Sequence, residues 1–125
     1  MLKALFANTV YVLVKRNQFR VRHLESNAEV TLDAQPPFTT SRLIIGEFSV
    51  AESLLKRGIR EVSKRGFLSM APFVVIQPLE MLEGGLSEVE ERVLREVAIG
   101  AGATRVVVWV GPQLSDAEVK AKFNE

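Results

Sequence analysis

A run of five residues between two prolines constrains the fold of this chain more than any other feature. Residues 73–77 read FVVIQ, with Pro72 before them and Pro78 after them. A short, continuous apolar run bounded by breakers is typical of a strand that is buried on both faces of a sheet. We therefore expect an α/β fold in which this segment is an interior strand.

Three segments before this run alternate between apolar and polar residues. Residues 9–15 (TVYVLVK) and 19–24 (FRVRHL) place every second side chain on one face, and residues 29–32 form a third, shorter segment. Arg16-Asn17-Gln18 and Ser26-Asn27 separate the segments as turns. This period of two predicts three consecutive strands joined by tight turns.

Three other segments begin with the signature of a helix N-terminus, Ser-X-X-Glu. In such a capping box the serine hydroxyl accepts from the amide three residues later, and the glutamate accepts from the amide of the serine. The boxes stand at residues 49–52, 87–90 and 115–118. They predict helices over residues 49–64, 87–99 and from 115 onward.

The first two helices carry an apolar stripe that we expect to face the sheet. The inward residues are Val50, Leu54, Leu55, Ile59 and Val62 in the first helix, and Val89, Val93, Leu94, Val97 and Ala98 in the second. Gly58, near the first stripe, lowers helix propensity by about 1 kcal/mol, which indicates a close approach to a strand. Gly100 and Gly102 predict a left-handed helix stop, and a strand over residues 106–110 follows.

The predicted elements follow one another in the order βββαβαβα. Three strands in a meander followed by two crossovers form the ribonuclease-H-like arrangement, which actin-like ATPases, Hsp70-type domains, nucleases and integrases share. Because crossovers between parallel strands are right-handed, both main helices should pack against one parallel portion of the sheet. We therefore predict a single ribonuclease-H-like domain over residues 1–125, with a mixed five-stranded sheet.

Composition excludes several classes of site. The chain contains no cysteine, which excludes disulfides, zinc–thiolate sites and thiol nucleophiles. A net charge of +1 gives no overall attraction to nucleic acid, and no apolar run approaches the ~20 residues of a membrane-spanning helix.

The N-terminal residues show no secretory cleavage pattern, so we expect a cytoplasmic protein. A two-metal nuclease is not expected, because residues 9–15 contain no acid and the fourth strand ends in Gln77.

Two segments resemble the bacterial actin MreB. Residues 90–112, EERVLREVAIGAGATRVVVWVGP, match the family's helix of the form ERRAI, its AGA turn and its strand VFLIEEP. Residues 43–51, LIIGEFSVA, are similar to the family's GVIADYTVA, with Glu47 where an aspartate stands. The resemblance implies one half of an actin-type ATPase with shortened loops, and a link to the rod shape-determining cytoskeleton of bacteria.

The resemblance is incomplete at the positions that would hold ATP. The family's catalytic glutamate precedes the proline that ends the last strand, where this chain has Gly111; Gly111-Pro112 is equally a plain strand terminator. The family's phosphate loop, DLGT, corresponds here to residues 6–9 (FANT) or 15–18 (KRNQ), and neither contains an acid or a glycine. The resemblance therefore implies a degenerate ATPase with no catalytic residue, no cofactor and no metal site.

Two alternatives stay open at this point. One is a residual nucleotide-binding or ATPase subunit whose site a second chain completes. The other is a nucleic-acid-binding domain on the same fold, for which Lys15, Arg16, Arg20 and Arg22 near Tyr11 would supply the basic surface. A solvated edge hairpin protected by charge is the simpler interpretation of these residues, and we expect no nucleic acid. His23, the single histidine, is expected to be a half-exposed strand residue rather than a metal ligand.

The segment 78–86 (PLEMLEGGL) is the predicted interaction surface. Its apolar residues are Leu79, Met81, Leu82 and Leu86. Soluble loops seldom expose such residues without a role, and methionine suits adaptable contacts, so we expect them to bind a protein partner or a second copy. The alternative is that they cover the end of the core. A weak peripheral membrane contact is expected at most from the apolar N-terminal residues Met1, Leu2, Leu5 and Phe6.

Overall fold

The elements of the described part of the chain follow one another in the order βββαβαβα. The computed structural model describes residues 8–63 and 71–124. The strands are β1 (Thr9–Lys15), β2 (Gln18–His23), β3 (Ala28–Asp33), β4 (Phe73–Pro78) and β5 (Arg105–Val108). The helices are α1 (Phe48–Ser63), α2 (Glu88–Gly100) and α3 (Asp116–Ala121). The predicted α/β fold class and element order are confirmed.

The strands form one mixed sheet in the order β3-β2-β1-β4-β5. β1, β2 and β3 pair antiparallel, with Val12 opposite Val21 and Val21 opposite Val30. β4 lies parallel to β1, with Ile76 opposite Val12, and β5 lies parallel to β4 on its other side. The chain therefore inserts β4 beside β1 rather than beside β3, which is the ribonuclease-H-like strand order.

Helices cover both faces of this sheet. α1 and α2 pack on one face, over a core that includes Val12 and Leu55. Phe19 and Phe38 stack within this core, with their ring centroids 4.7 Å apart. α3 covers the other face, where Val119 belongs to a smaller cluster of buried residues.

β4 contributes side chains to both cores. Val74 and Ile76 belong to the core under α1 and α2, whereas Val75 belongs to the cluster under α3. All three are fully buried. The prediction that the FVVIQ run is buried on both faces is confirmed.

Two of the predicted capping boxes form and one does not. At α2, Glu90 N–H donates to Ser87 Oγ at 3.2 Å, and Ser87 N–H donates to Glu90 Oε1 at 3.0 Å. Ser115 and Glu118 make the same two hydrogen bonds at the start of α3. The box predicted at Ser49 is wrong, because α1 already begins at Phe48 and places this serine inside the first turn.

Two further details of the elements differ from the sequence prediction. Val89 was expected to face inward but is 71% exposed. It lies about 140° around the helix from Leu94, which is buried, so both cannot face the sheet. β5 covers Arg105–Val108 rather than 106–110, although Trp109 N–H still donates to Ile76 O at 3.0 Å.

Gly58 lies where α1 crosses the antiparallel half of the sheet. A Cβ atom at this position would stand 2.4 Å from Leu32 Cδ1 and 3.2 Å from Val21 Cγ2. Both neighbours are buried, so neither can move away without disturbing the core. The close approach predicted from the sequence is confirmed.

Gly58→Leu should therefore destabilise the protein. Overpacking of a filled core lowers the free energy of unfolding by about 1–3 kcal/mol, and the gain in helix propensity of about 1 kcal/mol offsets only part of this. Urea unfolding followed by circular dichroism measures the difference. Ser53→Leu, at an exposed position of the same helix, is the matched control. Equal stability of both variants and the wild type would contradict the packing described here.

Candidate functional site

The carboxyl ends of the parallel strands form the edge where α/β sheets bind ligands. In this chain the edge consists of the β1–β2 turn, the segment after β4 and the segment after β5. The turn lies at residues 16–17, so the stretch KRNQ, and not FANT, occupies the place of the first phosphate loop. Asn8 and Thr9 lie at the opposite end of β1, and residues 6 and 7 are outside the described residues.

The backbone amides of the β1–β2 turn are already hydrogen-bonded to side chains. Arg16 N–H donates to Glu80 Oε1 at 2.6 Å, and the Arg16 guanidinium lies 3.6 Å from the same oxygen. Asn17, in the left-handed region with φ of 57°, donates its N–H to Thr39 Oγ1 at 2.9 Å. Thr39 N–H donates in return to Asn17 Oδ1 at 2.8 Å. A phosphate would need these amides as donors, and a carboxylate stands beside one of them.

Gln77 fastens the segment after β5 to the sheet. Its side chain is buried and accepts a hydrogen bond from the Tyr11 hydroxyl. Its amide nitrogen donates to Gly111 O at 2.7 Å. The Tyr11 hydroxyl oxygen in turn accepts a hydrogen bond from Leu114 N–H at 3.0 Å, so Tyr11 also holds the segment after β5. Burial is the main cause that raises the pKa of the Tyr11 phenol above its usual value, so the phenol keeps the proton that it donates to Gln77.

Gly111 is fixed at its position by its backbone conformation. Its φ of 151° lies in the region that favours glycine, and a Cβ atom there would stand 2.8 Å from the ring of Trp109. The Trp109 indole N–H in turn donates to Pro112 O at 2.8 Å. A glutamate at residue 111 would therefore meet both backbone strain and the indole ring. Gly111 has a structural role in this loop, as the strand-terminator interpretation states.

The four residues of the predicted interaction surface do not lie in one cluster. Leu79 packs against the core under α3, whereas Met81 and Leu86 pack against the core under α1 and α2. All four, including Leu82, are partly buried. Leu82 alone belongs to neither core, and its carbonyl accepts from Gly85 N–H at 2.9 Å within a turn. The role of these residues in binding a partner stays a prediction.

Acidic side chains pair with the three arginines of the β1–β2 hairpin, of which Arg16 is described above. Arg20 Nε donates to Glu29 Oε2 at 2.8 Å, and Arg22 forms an ion pair with Asp116 at the start of α3. Arg20, Arg22 and Glu29 line a cleft of about 190 Å³ on the α3 face of the sheet. The hydrogen bond to Arg22 lowers the pKa of Asp116, so the pair stays charged at neutral pH. This charge pairing agrees with a hairpin protected by charge rather than with an unpaired basic surface. The expectation of an edge hairpin is wrong, because β3 and β4 flank β2 and β1 in the sheet.

His23 is buried, which contradicts the expectation of a half-exposed residue. Only 1% of its surface is accessible. Its Nδ1 lies 2.7 Å from Ser26 Oγ and its Nε2 lies 2.8 Å from Asn8 Oδ1. The turn between β2 and β3 and the start of β1 enclose the ring, and the alternation of β2 alone did not show this. Within residues 8–63 and 71–124, no three His, Cys, Asp or Glu side chains form a group that could hold a metal ion.

Sequence reasoning missed the network around Gln77. The signal was a polar residue at the end of an otherwise apolar, fully buried strand, since a buried amide requires hydrogen-bond partners. The partners could not be named from the sequence, because Tyr11 and Gly111 are 66 and 34 residues away.

Comparison with known proteins places the chain in a family. No family model matches it. It is 43% identical over 99 residues to the uncharacterized protein YjaA of Escherichia coli K12, and the match covers 75% of this chain and 76% of YjaA. The chain belongs to the YjaA family.

The likeness to MreB is weaker and partial. The chain is 35% identical over 69 residues to the cell shape-determining protein MreB of Pasteurella multocida and to that of Haemophilus influenzae. The match covers 55% of this chain but only 18% of each MreB. This member of the YjaA family is therefore related to actin-like proteins over a short segment at most. No helix in the described ranges is long and apolar enough to cross a membrane.

Titration of His23 tests the burial of its ring beside Ser26 and Asn8. Burial lowers the pKa of its imidazole below the usual 6.5, and the nearby Glu25 opposes this shift only in part. In this case the unfolded chain binds more protons than the folded chain. His23 therefore contributes stability that is present above pH ~6.5 and is lost as the pH falls through the folded-state pKa. Proton NMR of the untagged protein can follow the ring of this single histidine.

We expect its pKa below 6.5 in the native protein and a return to about 6.5 in concentrated urea. A native pKa at or above the value in urea would contradict the enclosure of the ring.

Proposed function

We propose that this protein is a non-catalytic, actin-like module that acts by binding another protein. The observation that carries the proposal is the hydrogen-bonded carboxyl edge of the sheet. Glu80 accepts from the amide of Arg16 there, at 2.6 Å, and Gln77 holds the carbonyl of Gly111, at 2.7 Å. The edge that would receive a nucleotide in an actin-like site is occupied by the protein's own groups.

Electrostatics support the same proposal. A triphosphate binds where backbone amides converge and where an acid holds hydrated Mg²⁺. In this chain the acid at the turn, Glu80, pairs with Arg16 and takes the amide that a phosphate oxygen would need. A nucleotide would have to displace this carboxylate and then lie close to its negative charge. The site is therefore suited to hold loops together rather than to hold a phosphate.

The working surface that we propose is the segment 78–86, with Leu82 as its central contact. Leu79, Met81 and Leu86 are tied to the two cores and give the segment a fixed base. Leu82 is anchored to neither core, and the residues that follow it, Glu83, Gly84 and Gly85, are exposed. An apolar side chain held on an ordered turn loses little conformational freedom on binding, which favours its use as a contact.

The partner that we propose is a component of the bacterial cell-shape cytoskeleton, in the cytoplasm. The partial likeness to proteins named as cell shape-determining motivates this choice. The charge-paired hairpin gives no support to a nucleic-acid partner. The N-terminal residues proposed for weak membrane contact, Met1, Leu2, Leu5 and Phe6, lie outside the described residues.

Binding to purified MreB tests the proposal. We expect immobilised wild-type protein to capture MreB in biolayer interferometry, and Leu82→Asp to weaken this binding by about tenfold or more, since burial of an unpaired carboxylate opposes the contact. Leu43→Asp is the matched control, because Leu43 is 40% exposed in a different segment. Equal thermal midpoints of the variants show that folding is unchanged. Absence of binding by the wild type, or equal binding by Leu82→Asp, would refute the proposal.

A further inference from the structure

The outward face of α2 exposes apolar side chains that the fold does not use. Val89 is 71% exposed and Ile99 is 49% exposed, although both are large hydrophobic residues. Beside Val89, Phe48 at the start of α1 is 39% exposed. A groove of about 320 Å³ runs between these two residues, and Arg92, Val93 and Glu96 complete its lining. Apolar surface that is rimmed by charge in this way is typical of a protein interface.

The exposed residues of α2 form one stripe along the helix. At 3.6 residues per turn, Val89, Arg92, Glu96 and Ile99 lie within about 80° of one another around the helix axis. The buried residues Leu94, Val97 and Ala98 lie on another side. The stripe is therefore a continuous outward surface with an apolar residue at each end and opposite charges between them.

The stripe is symmetric about residue 94. Arg92 and Glu96 stand two residues on either side of this position, and Val89 and Ile99 stand five residues on either side. If a second copy of α2 lies antiparallel across the stripe, each arginine faces the glutamate of the other copy. Each valine then faces the isoleucine of the other copy. This is the requirement for an isologous, two-fold interface, in which one surface is complementary to itself.

The two charges of the stripe are available for such a contact. Among the described residues, Arg92 and Glu96 form no salt bridge, although they lie four residues apart on the same helix. Arg95 on the flank of α2 differs, since it pairs with Glu91 at 3.4 Å and donates to Val106 O at 2.8 Å.

We propose that the outward stripe of α2 is a self-association surface that pairs two copies of this chain antiparallel. The occupant is a second copy because a 180° rotation about a two-fold axis places each charge opposite its counter-charge and each apolar end opposite the other. The contact is one short helix from each copy with the neighbouring Phe48, so the dimer forms reversibly and depends on protein concentration. This surface is separate from the segment 78–86, and the proposal does not rest on the proposed function.

Sedimentation equilibrium with charge-reversal variants tests the pairing. We expect a concentration-dependent rise of the mass from 13.9 kDa toward twice that value for the wild type. Arg92→Glu alone and Glu96→Arg alone each create two like-charge contacts by symmetry, so each should weaken the dimer by about tenfold or more. The double variant Arg92→Glu/Glu96→Arg restores opposite charges and should dimerise nearly as well as the wild type. Lys15→Glu, an exposed reversal at the carboxyl edge, is the control and should change nothing.

A second measurement uses the absence of cysteine from the chain. Residues 89 and 99 lie about 15 Å apart within one helix, which is too far for an internal disulfide. A protein that carries both Val89→Cys and Ile99→Cys should therefore form covalent dimers under mild oxidation. Each single variant should form far fewer, because identical positions are not opposite each other in the proposed register.

Three results would overturn the proposal. They are a wild type that stays monomeric at every concentration, a dimer that the single charge reversals leave intact, and a double reversal that is as weak as the single ones. Circular dichroism of each variant confirms that α2 is still folded, so a loss of dimer reports on the surface itself.

Discussion

The burial of β4 on both faces of the sheet is the constraint on which the rest of the structure depends. A strand with no exposed face requires a layer on each side of the sheet, and α1 with α2 on one side and α3 on the other supply these layers. Burial also requires that Gln77, the polar side chain within this strand, finds hydrogen-bond partners, because a buried amide without them costs about 1–3 kcal/mol. The Tyr11 hydroxyl and the Gly111 carbonyl are these partners. The same bonds hold the loop after β5 against the carboxyl edge and fill the place where a ligand would approach.

The order of elements could be predicted from the sequence because each element has a local signal. The period of two in residues 9–15, the apolar run 73–77 and the boxes at Ser87 and Ser115 depend only on near neighbours in the chain. The handedness of crossovers then predicts that α1 and α2 pack on one face of the sheet, as they do. Gly58 predicted the close approach of α1 to the sheet, because glycine lowers helix propensity and a close contact explains its presence in a helix.

The sequence predictions were wrong where contacts between residues that are distant in the chain determine the structure. Ser49 has the sequence of a cap, but the segment before it folds back through bonds from Gly46 and Glu47 to Phe38 O, and the helix begins one residue earlier. His23 lies on an alternating strand, but the β2–β3 turn and Asn8 enclose it. At the candidate site, the sequence indicated which groups are missing from an actin-like phosphate loop. It could not indicate that Glu80 reaches the turn from the segment after β4.

The likeness to MreB is partial, since it covers 55% of this chain and 18% of each MreB. The segment 90–112, whose sequence resembles MreB, includes most of α2, the turn after it and β5. The two surfaces that we propose for interaction, the segment 78–86 and the outward stripe of α2, are separate. A non-catalytic module of this kind requires that the carboxyl edge be closed to nucleotide. Amide NMR during titration with ATP and Mg²⁺ measures this most directly, with the signals of Arg16, Asn17 and Gly111 as reporters. We expect no saturable shift of these signals at millimolar ATP. Saturable shifts centred on them would show that the edge binds nucleotide.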